Sequence, residues 1–544
     1  MNDRLSLRWL GLASLALGLA MIIVDATIVN VAIPSIIADL GLQLTDAEWV
    51  NTVYSLVFAA LLVTVGRFGD LYGRKRIYLL GLAAFVAASL LAASAPTGSL
   101  LIAARALQGI GAAMILPSTL SSVNAMFRGR ERAIAFGIWG SVIGGMAALG
   151  PLVGGWLTTS YSWRWAFYIN LPIGLVAGTV ALLTVPETRD TQAARGLDPI
   201  GIVTSALGFA ALVFGLIEGE RYGWWQPTDT FRIGTWEWPL SSLSPVPLAL
   251  ALATLLLPLF TAYELRRVRL ERPVLLDLRL FRYRSFRWGN LAALIVSLGE
   301  FGIVFVLPLY LQAVLGYTAF QTGQVLIAVA LGAFLGGPAA ANLAQRFGAR
   351  QVVRAGMLLE AAGLLLLVPV LAPDTHGWRL APALFIYGLG VGLATAQLTS
   401  VILAEVPTAQ SGQASGTQST TRQVGAALGI AILGTVLAAT LASGTEARLM
   451  ERLGFPADQA AMLARATKQS AGQILVQLRA QPGSEAMVRA IEDAFTDAAR
   501  RTALVAAAFI GIGFIASWLI PDIRPGEEPA SGTVPRETAA ETRR

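Results

Sequence analysis

The chain has no cysteine, a single histidine, and only two lysines, Lys75 and Lys468, among its 40 basic residues. Without thiols there are no disulfides and no thiolate metal sites. His376 falls in a short polar turn and reads as an ordinary loop residue. Neither lysine ends a GxxxxGK(S/T) loop, so the signature of a nucleotide-driven pump is absent. Charge is scarce too. Charged residues make up 13% of the 544 positions, against about 25% in soluble proteins. What fills the space is apolar: 55% hydrophobic residues and a mean hydropathy of +0.64. This is the composition of a polytopic membrane protein. The net charge of +7 does not suggest nucleic acid, because the cations concentrate in particular loops. No cleavable signal is apparent: the first apolar run is too long for a signal peptide and lacks a clear A-x-A exit.

A helix needs about 20 apolar residues to cross a bilayer. Fourteen stretches qualify, at about 10–33, 48–66, 77–95, 99–126, 133–158, 164–185, 198–218, 247–265, 287–314, 320–344, 351–371, 380–404, 413–440 and 501–520. The predicted fold class is therefore all-α and polytopic. Arg74, Lys75 and Arg76 lie in one short loop and Arg128, Arg130 and Arg132 in another. Eight arginines from Arg266 to Arg287 fill a third, and Arg346, Arg350 and Arg354 a fourth. All fall on one side if the spans alternate. The opposite loops 34–47 and 315–319 carry no Lys or Arg. Both termini are therefore expected in the cytoplasm, with the chain in the cytoplasmic membrane.

Two loops on the other side are long. Residues 219–246 are rich in Trp, which suits a membrane interface. Residues 441–500 have helical periodicity, with Pro456 placed for a first helical turn and Ser484 for a cap. The tail 521–544 is rich in Pro, Glu, Thr and Arg and is expected to be disordered.

Gly66-Arg67-Phe68-Gly69-Asp70-Leu71-Tyr72-Gly73-Arg74-Lys75-Arg76 is the most informative run. It combines three glycines for a tight turn, one carboxylate and four cations. It reads as a latch joining neighbouring spans and a helix of another part of the chain. A weak copy, Ala341 to Arg350, lies 275 residues on. Gly73 meets Gly348 and Lys75 meets Arg350, while Asp70 meets Gln345. The same offset carries Asp25 onto Glu300. The chain thus reads as two related halves with two spans inserted between them. The expected units are a six-helix bundle at 1–185, two linker spans with a basic loop at 186–286, and a second six-helix bundle at 287–520. The second bundle carries the helical insert 441–500. Repeats of this kind place a binding site between the halves.

A carboxylate at mid-membrane costs about 2.5–3.5 kcal/mol on insertion scales, so it needs a reason. Asp25 and Glu300 are such residues, and Glu360 is a third. Burial disfavours the charged form of an acid, which suits a group that takes up and releases a proton. A cationic substrate would compete for the same charge. Glu405 and Glu218 sit at span ends, where interfacial solvation accounts for them. Arg105 is the one arginine early in a span and is expected to have no counterpart in the second half. Gly140, Gly144, Gly145, Gly150, Gly154 and Gly155 clear one helix face, and Pro151 kinks that span by removing a backbone bond.

At this point the residues resemble a family. Gly66–Arg76 resembles motif A of the major facilitator superfamily. Asp25-Ala26-Thr27-Ile28-Val29-Asn30 to Pro34 looks like the first-span signature of its fourteen-span drug:proton antiporters. Arg105-Ala106-Leu107-Gln108-Gly109 resembles motif B, and Gly145 with Gly150-Pro151-Leu152-Val153-Gly154-Gly155 the antiporter motif C. Trp163-Arg164-Trp165 to Pro172, and Ser411-Gly412-Gln413 to Arg422-Gln423, are also similar to that subfamily. The resemblance implies two six-helix bundles and proton-coupled efflux of amphipathic or cationic compounds, with no enzymatic activity and no cofactor. Arg105 would then tune the protonation of an acid such as Asp25. Gly66, Asp70, Gly73, Arg74 and Lys75 would gate the cytoplasmic side. Members usually have an apolar residue where Glu360 stands, which is a departure. A lipid or glycolipid exporter of the same fold is the alternative, an uptake symporter a weaker one. Substrate, stoichiometry and any adaptor protein are not fixed by the resemblance.

Overall fold

The computed structural model describes residues 2–42, 44–191, 196–233, 236–239, 243–470 and 472–522. Most of the tail for which disorder was expected, 523–544, lies outside them. The spans are helices because a bilayer offers the backbone no partner other than itself. The first half holds α1 (Asn2–Leu40), α2 (Leu44–Tyr72), α3 (Arg74–Ala93), α4 (Gly98–Met126) and α5 (Gly129–Ser160). Its sixth span is the short α6 (Trp165–Tyr168) followed at once by α7 (Asn170–Thr184). Next come α8 (Pro199–Ile217), a loop with α9 (Gly219–Tyr222), and α10 (Pro245–Arg269). In that loop β1 (Arg232–Ile233) and β2 (Trp236–Glu237) form a small antiparallel ladder, Arg232 opposite Glu237.

The second half holds α11 (Arg284–Ala313), α12 (Ala319–Phe347), α13 (Ala349–Val370), α14 (Ala381–Ile402) and α15 (Ser411–Leu453). Then α16 (Ala457–Gln469) and α17 (Ile474–Arg479) lead to α18 (Glu485–Ala516). Among the described residues, thirteen helical segments are long and apolar enough to cross a membrane. Helix α5, bent by 42° between Ala147 and Leu149, makes the fourteenth. Pro151 accounts for the bend, since it lacks the N–H that would bond the Ala147 carbonyl. The fourteen-span, all-helical reading thus holds, the ladder apart.

Local signals start several helices. The Asp198 carboxylate accepts from Gly201 N (3.0 Å) and Pro199 follows at the first position of α8. Thr318 and Gln321 form a capping box on α12. Two expected starts differ. Ser484 occupies the N-cap of α18, but its hydroxyl donates to the Gln481 carbonyl (2.7 Å) and caps nothing. Pro456 sits at the N-cap of α16, one residue before the first turn.

Gly73 and Gly348, paired by the sequence repeat, both precede the third span of their half at positive φ, +111° and +85°. Only glycine takes these values readily. The halves meet along α5 against α12 and α14, and along α2 against α15. The inserted α8 and α10 pack on each other, and α8 also rests on α2 and α15. Alternation of the spans gathers the arginine-rich loops at one end of the bundle, here called the basic end.

Candidate functional site

Three groups of polar residues interrupt the apolar interior. In the first half Asp25 is fully buried and ion-paired with Arg105, also fully buried. The carboxylate further accepts from Gln108 Nε2 (3.0 Å) and Asn170 Nδ2 (2.8 Å). The Ser89 hydroxyl oxygen accepts from the same two amides, at 2.8 and 3.2 Å. Arg105 Nε donates to the Val50 carbonyl (3.0 Å), and its guanidinium lies 4.2 Å from the Tyr54 ring centroid. Such stacking adds about 2 kcal/mol when desolvated. Arg105 therefore turns inward to Asp25, as expected of a partner, and does not reach for the membrane surface.

In the second half Glu300 pairs with Arg422 of α15 (3.1 Å) and accepts from the Thr395 hydroxyl (3.3 Å). Tyr387 donates to the Glu300 backbone carbonyl (3.4 Å). The expectation that Arg105 lacks a counterpart is corrected here. The ion-pair partner of the second-half acid comes from a different helix, so the repeat offset, which points to Leu380, could not find it. An arginine inside an otherwise apolar span was the available signal. Glu360 is buried nearby on α13, and it interacts electrostatically with Glu300 and Arg422.

The third group ties the halves together at the basic end. The buried Asp70 carboxylate accepts from Arg74 Nη2 (2.7 Å) and from the backbone N–H of Gly412 (2.8 Å) and Gln413 (2.9 Å). These amides open α15, so the carboxylate sits on a helix N-terminus, where the dipole favours negative charge. Arg74 Nη2 also donates to the Thr408 carbonyl (2.6 Å). Asn124 of α4 donates to the Ser411 hydroxyl (2.6 Å) beside it. Gly66 and Gly412 are in backbone contact, and a Cβ on Gly416 would lie 2.6 Å from the Leu62 carbonyl.

Not all of the loop faces the other half. Lys75 Nζ donates to the Leu182 carbonyl (2.8 Å) of the first half's own last span. Glu187 accepts from the amides of Lys75 and Arg76 (both 3.2 Å), and a Cβ on Gly73 would lie 2.5 Å from its carboxylate. Gly66, Asp70 and Arg74 therefore meet the second half, while Gly73 and Lys75 do not. In the degenerate copy Arg350 reaches, among the described residues, Asp522 (3.9 Å) and the Ile520 carbonyl (3.5 Å) of its own half.

The α5 glycines clear two faces, which corrects the single face read from their spacing. Gly144, Gly145 and Gly155 abut Ala333, Phe334 and Phe320 of α12, and Gly140 abuts Ala396 of α14. Gly150 and Gly154 instead abut Thr27 and Ile28 of α1. Glu405 and Glu218 are also more than solvated end groups. Glu405 accepts from Ser285 N (2.8 Å) at the start of α11. Glu218 is buried and accepts from the Thr52 hydroxyl (2.6 Å) of α2, while Glu220 accepts from the Thr435 hydroxyl (2.6 Å) of α15.

Two helical bundles, a repeat and a polar contact across their seam define a transporter of the major facilitator type. The chain belongs to the Major Facilitator Superfamily, whose description it matches over residues 15–430. It is 34% identical over 447 residues to the probable actinorhodin transporter of Streptomyces coelicolor, covering 80% of this chain and 73% of that one. It is 32% identical over 519 residues to the multidrug resistance protein Stp of Mycobacterium tuberculosis, covering 94% and 91%. The multidrug efflux pump LfrA of Mycolicibacterium smegmatis is 32% identical over 517 residues, covering 93% and 96%. Among solved structures, the human organic anion transporter MFSD10 superposes with a TM-score of 0.55 at 13% identity, covering 94% of this chain and 98% of that one. The proton:xylose symporter XylE does so with a TM-score of 0.55 at 13% identity, covering 87% and 96%. These two likenesses concern the fold alone.

Proposed function

We propose that this transporter exports amphipathic or cationic organic molecules across the cytoplasmic membrane in exchange for protons. The halves alternate access to a site between them, the basic end and both termini face the cytoplasm, and no cofactor takes part. The observation that carries this reading is a mid-span acid buried in each half, each ion-paired with an arginine: Asp25 with Arg105 and Glu300 with Arg422. A membrane protein retains such groups at several kcal/mol each only if they do work. An acid released from its arginine can take a proton or a cation. The relatives named as drug and antibiotic resistance or efflux proteins support the substrate class.

The test uses proteoliposomes with an imposed pH gradient, reading ethidium export and proton flux together. Asp25→Asn and Glu300→Gln should each lower gradient-driven export at least about tenfold, a loss of about 1.4 kcal/mol of coupling. If both variants retain full gradient-driven export, the reading is wrong. Because Asp25→Asn leaves Arg105 buried without its partner, Asp25→Asn with Arg105→Gln is the control for folding.

A second reading, export of a lipid or glycolipid, draws on a groove of about 660 Å³ lined by Trp156, Tyr161, Trp165 and Tyr168 at the end of α5 away from the basic end. Aromatic residues of this kind gather at membrane interfaces. Competition of ethidium export by phospholipid, but not by organic cations, would favour it.

A further inference from the structure

Glu360 differs from the other two mid-span acids. It is fully buried, and among the described residues neither of its carboxyl oxygens has a hydrogen-bond partner. The burial is tight: a Cβ on Gly390 of α14 would lie 2.8 Å from Glu360 Cγ. One helical turn along, Gly363 admits the backbone of Tyr387 in the same way, at 2.5 Å. Tyr387 in turn reaches the Glu300 carbonyl, so both acids neighbour one buried tyrosine. The charged and titratable groups facing Glu360 are Glu300 of α11, Arg422 of α15 and Tyr387 of α14. Helices α12 and α18 also pack on α13 but set no charged group against Glu360 among the described residues.

Charge counting separates the halves. Asp25 and Arg105 balance one to one, and Asp25 has two further donors. That site is charge-balanced without a proton. In the second half two carboxyls face one guanidinium, which keeps its charge at all accessible pH. Arg422 is committed to Glu300. A second bare carboxylate in this apolar interior would be an unpaired buried charge. The site balances only if one carboxyl keeps its proton, and the unpartnered one is Glu360.

We propose that Glu360 carries the exchanged proton and that the second-half site trades it for one positive charge on the substrate. When an organic monocation enters, the Glu360 O–H proton leaves to water and the carboxylate takes its place as a counter-ion. The site passes from Glu300⁻, Arg422⁺ and neutral Glu360 to Glu300⁻, Arg422⁺, Glu360⁻ and the cation, with net charge unchanged. A neutral substrate displaces no proton this way. The Asp25–Arg105 pair is then a positioning element, while Glu360 sets both the proton count and the preference for cations. This assignment rests on the proton-exchange reading above and deepens it.

The experiment titrates purified full-length protein with tetraphenylphosphonium in weak buffer containing a pH-indicator dye, and measures affinity across pH. The unaltered chain should release about one proton per cation bound, with Kd falling about tenfold per pH unit as one-proton linkage requires. Glu360→Gln should bind about tenfold more weakly near neutral pH, release no proton and show a flat Kd. Glu360→Leu removes an unpartnered buried polar group, so it should melt no lower than the unaltered chain and also release no proton. Proton release from both variants at the unaltered level overturns the assignment to Glu360 and leaves the exchange reading standing. No proton release from the unaltered chain, together with export indifferent to the pH gradient, defeats the exchange reading itself.

Discussion

At the scale of single residues, Asp70 joins the two halves with one carboxylate. It neutralises the buried Arg74 and satisfies two backbone amides of the other half at once. Asp70→Asn leaves that arginine buried without a counter-charge, a change that typically costs about 3–5 kcal/mol. Because the natural chain has no cysteine, Ala409→Cys creates a unique label site beside the latch. Labelling at that cysteine in inverted vesicles should rise at least tenfold on adding Asp70→Asn, and unchanged labelling would contradict the latch. The sequence made Asp70 conspicuous but not its partners. Backbone amides at a helix start leave no trace in a side-chain pattern. Asp25 and Glu300 were legible because charge is rare in mid-span and the repeat paired them. Arg422 was not, since the second half recruits its cation from another helix.

At the scale of elements, the α2–α15 contact depends on small residues along one seam. Gly66, Gly412 and Gly416 leave no room for side chains between the two backbones. Gly416→Val forces the helices apart, with overpacking costs of about 1–3 kcal/mol. We expect dye export to fall at least tenfold while tetraphenylphosphonium affinity changes less than threefold, as read by export and equilibrium binding on the same preparation. Equal loss of both would mean a folding defect. The fourteen helices were readable from hydropathy because the bilayer constrains length so strongly. The two-faced use of α5 was not, because glycine spacing shows where a helix is bare and not which neighbour fills the gap.

At the scale of the whole molecule, the inserted pair α8–α10 touches both halves at the end away from the latch. Glu218 meets Thr52 of the first half, while Glu220 meets Thr435 of the second and Lys468 of α16 (3.5 Å). Burial lifts the Glu218 carboxyl above the ordinary carboxylate range, against the opposing effects of the Thr52 hydrogen bond and Arg221. A raised folded value means that the folded state holds the proton more tightly than the unfolded chain. The stabilisation is complete below about 4.5 and is lost as pH climbs through the raised value. Glu218→Gln should therefore flatten the decline of melting temperature above that point, and an unchanged pH profile would count against it. Helix α15 has one more property. Its 43 residues make a rod about 65 Å long, roughly twice the hydrocarbon thickness. The same rod begins at the Asp70 contact, carries Arg422, passes Thr435 and ends beyond the bilayer at Leu453. It is a lever with its short arm at the latch: a 10° tilt there sweeps the far tip by about 11 Å. In the proposed orientation, a fluorophore at Arg452 would report, from outside the cell, which way the inside is facing.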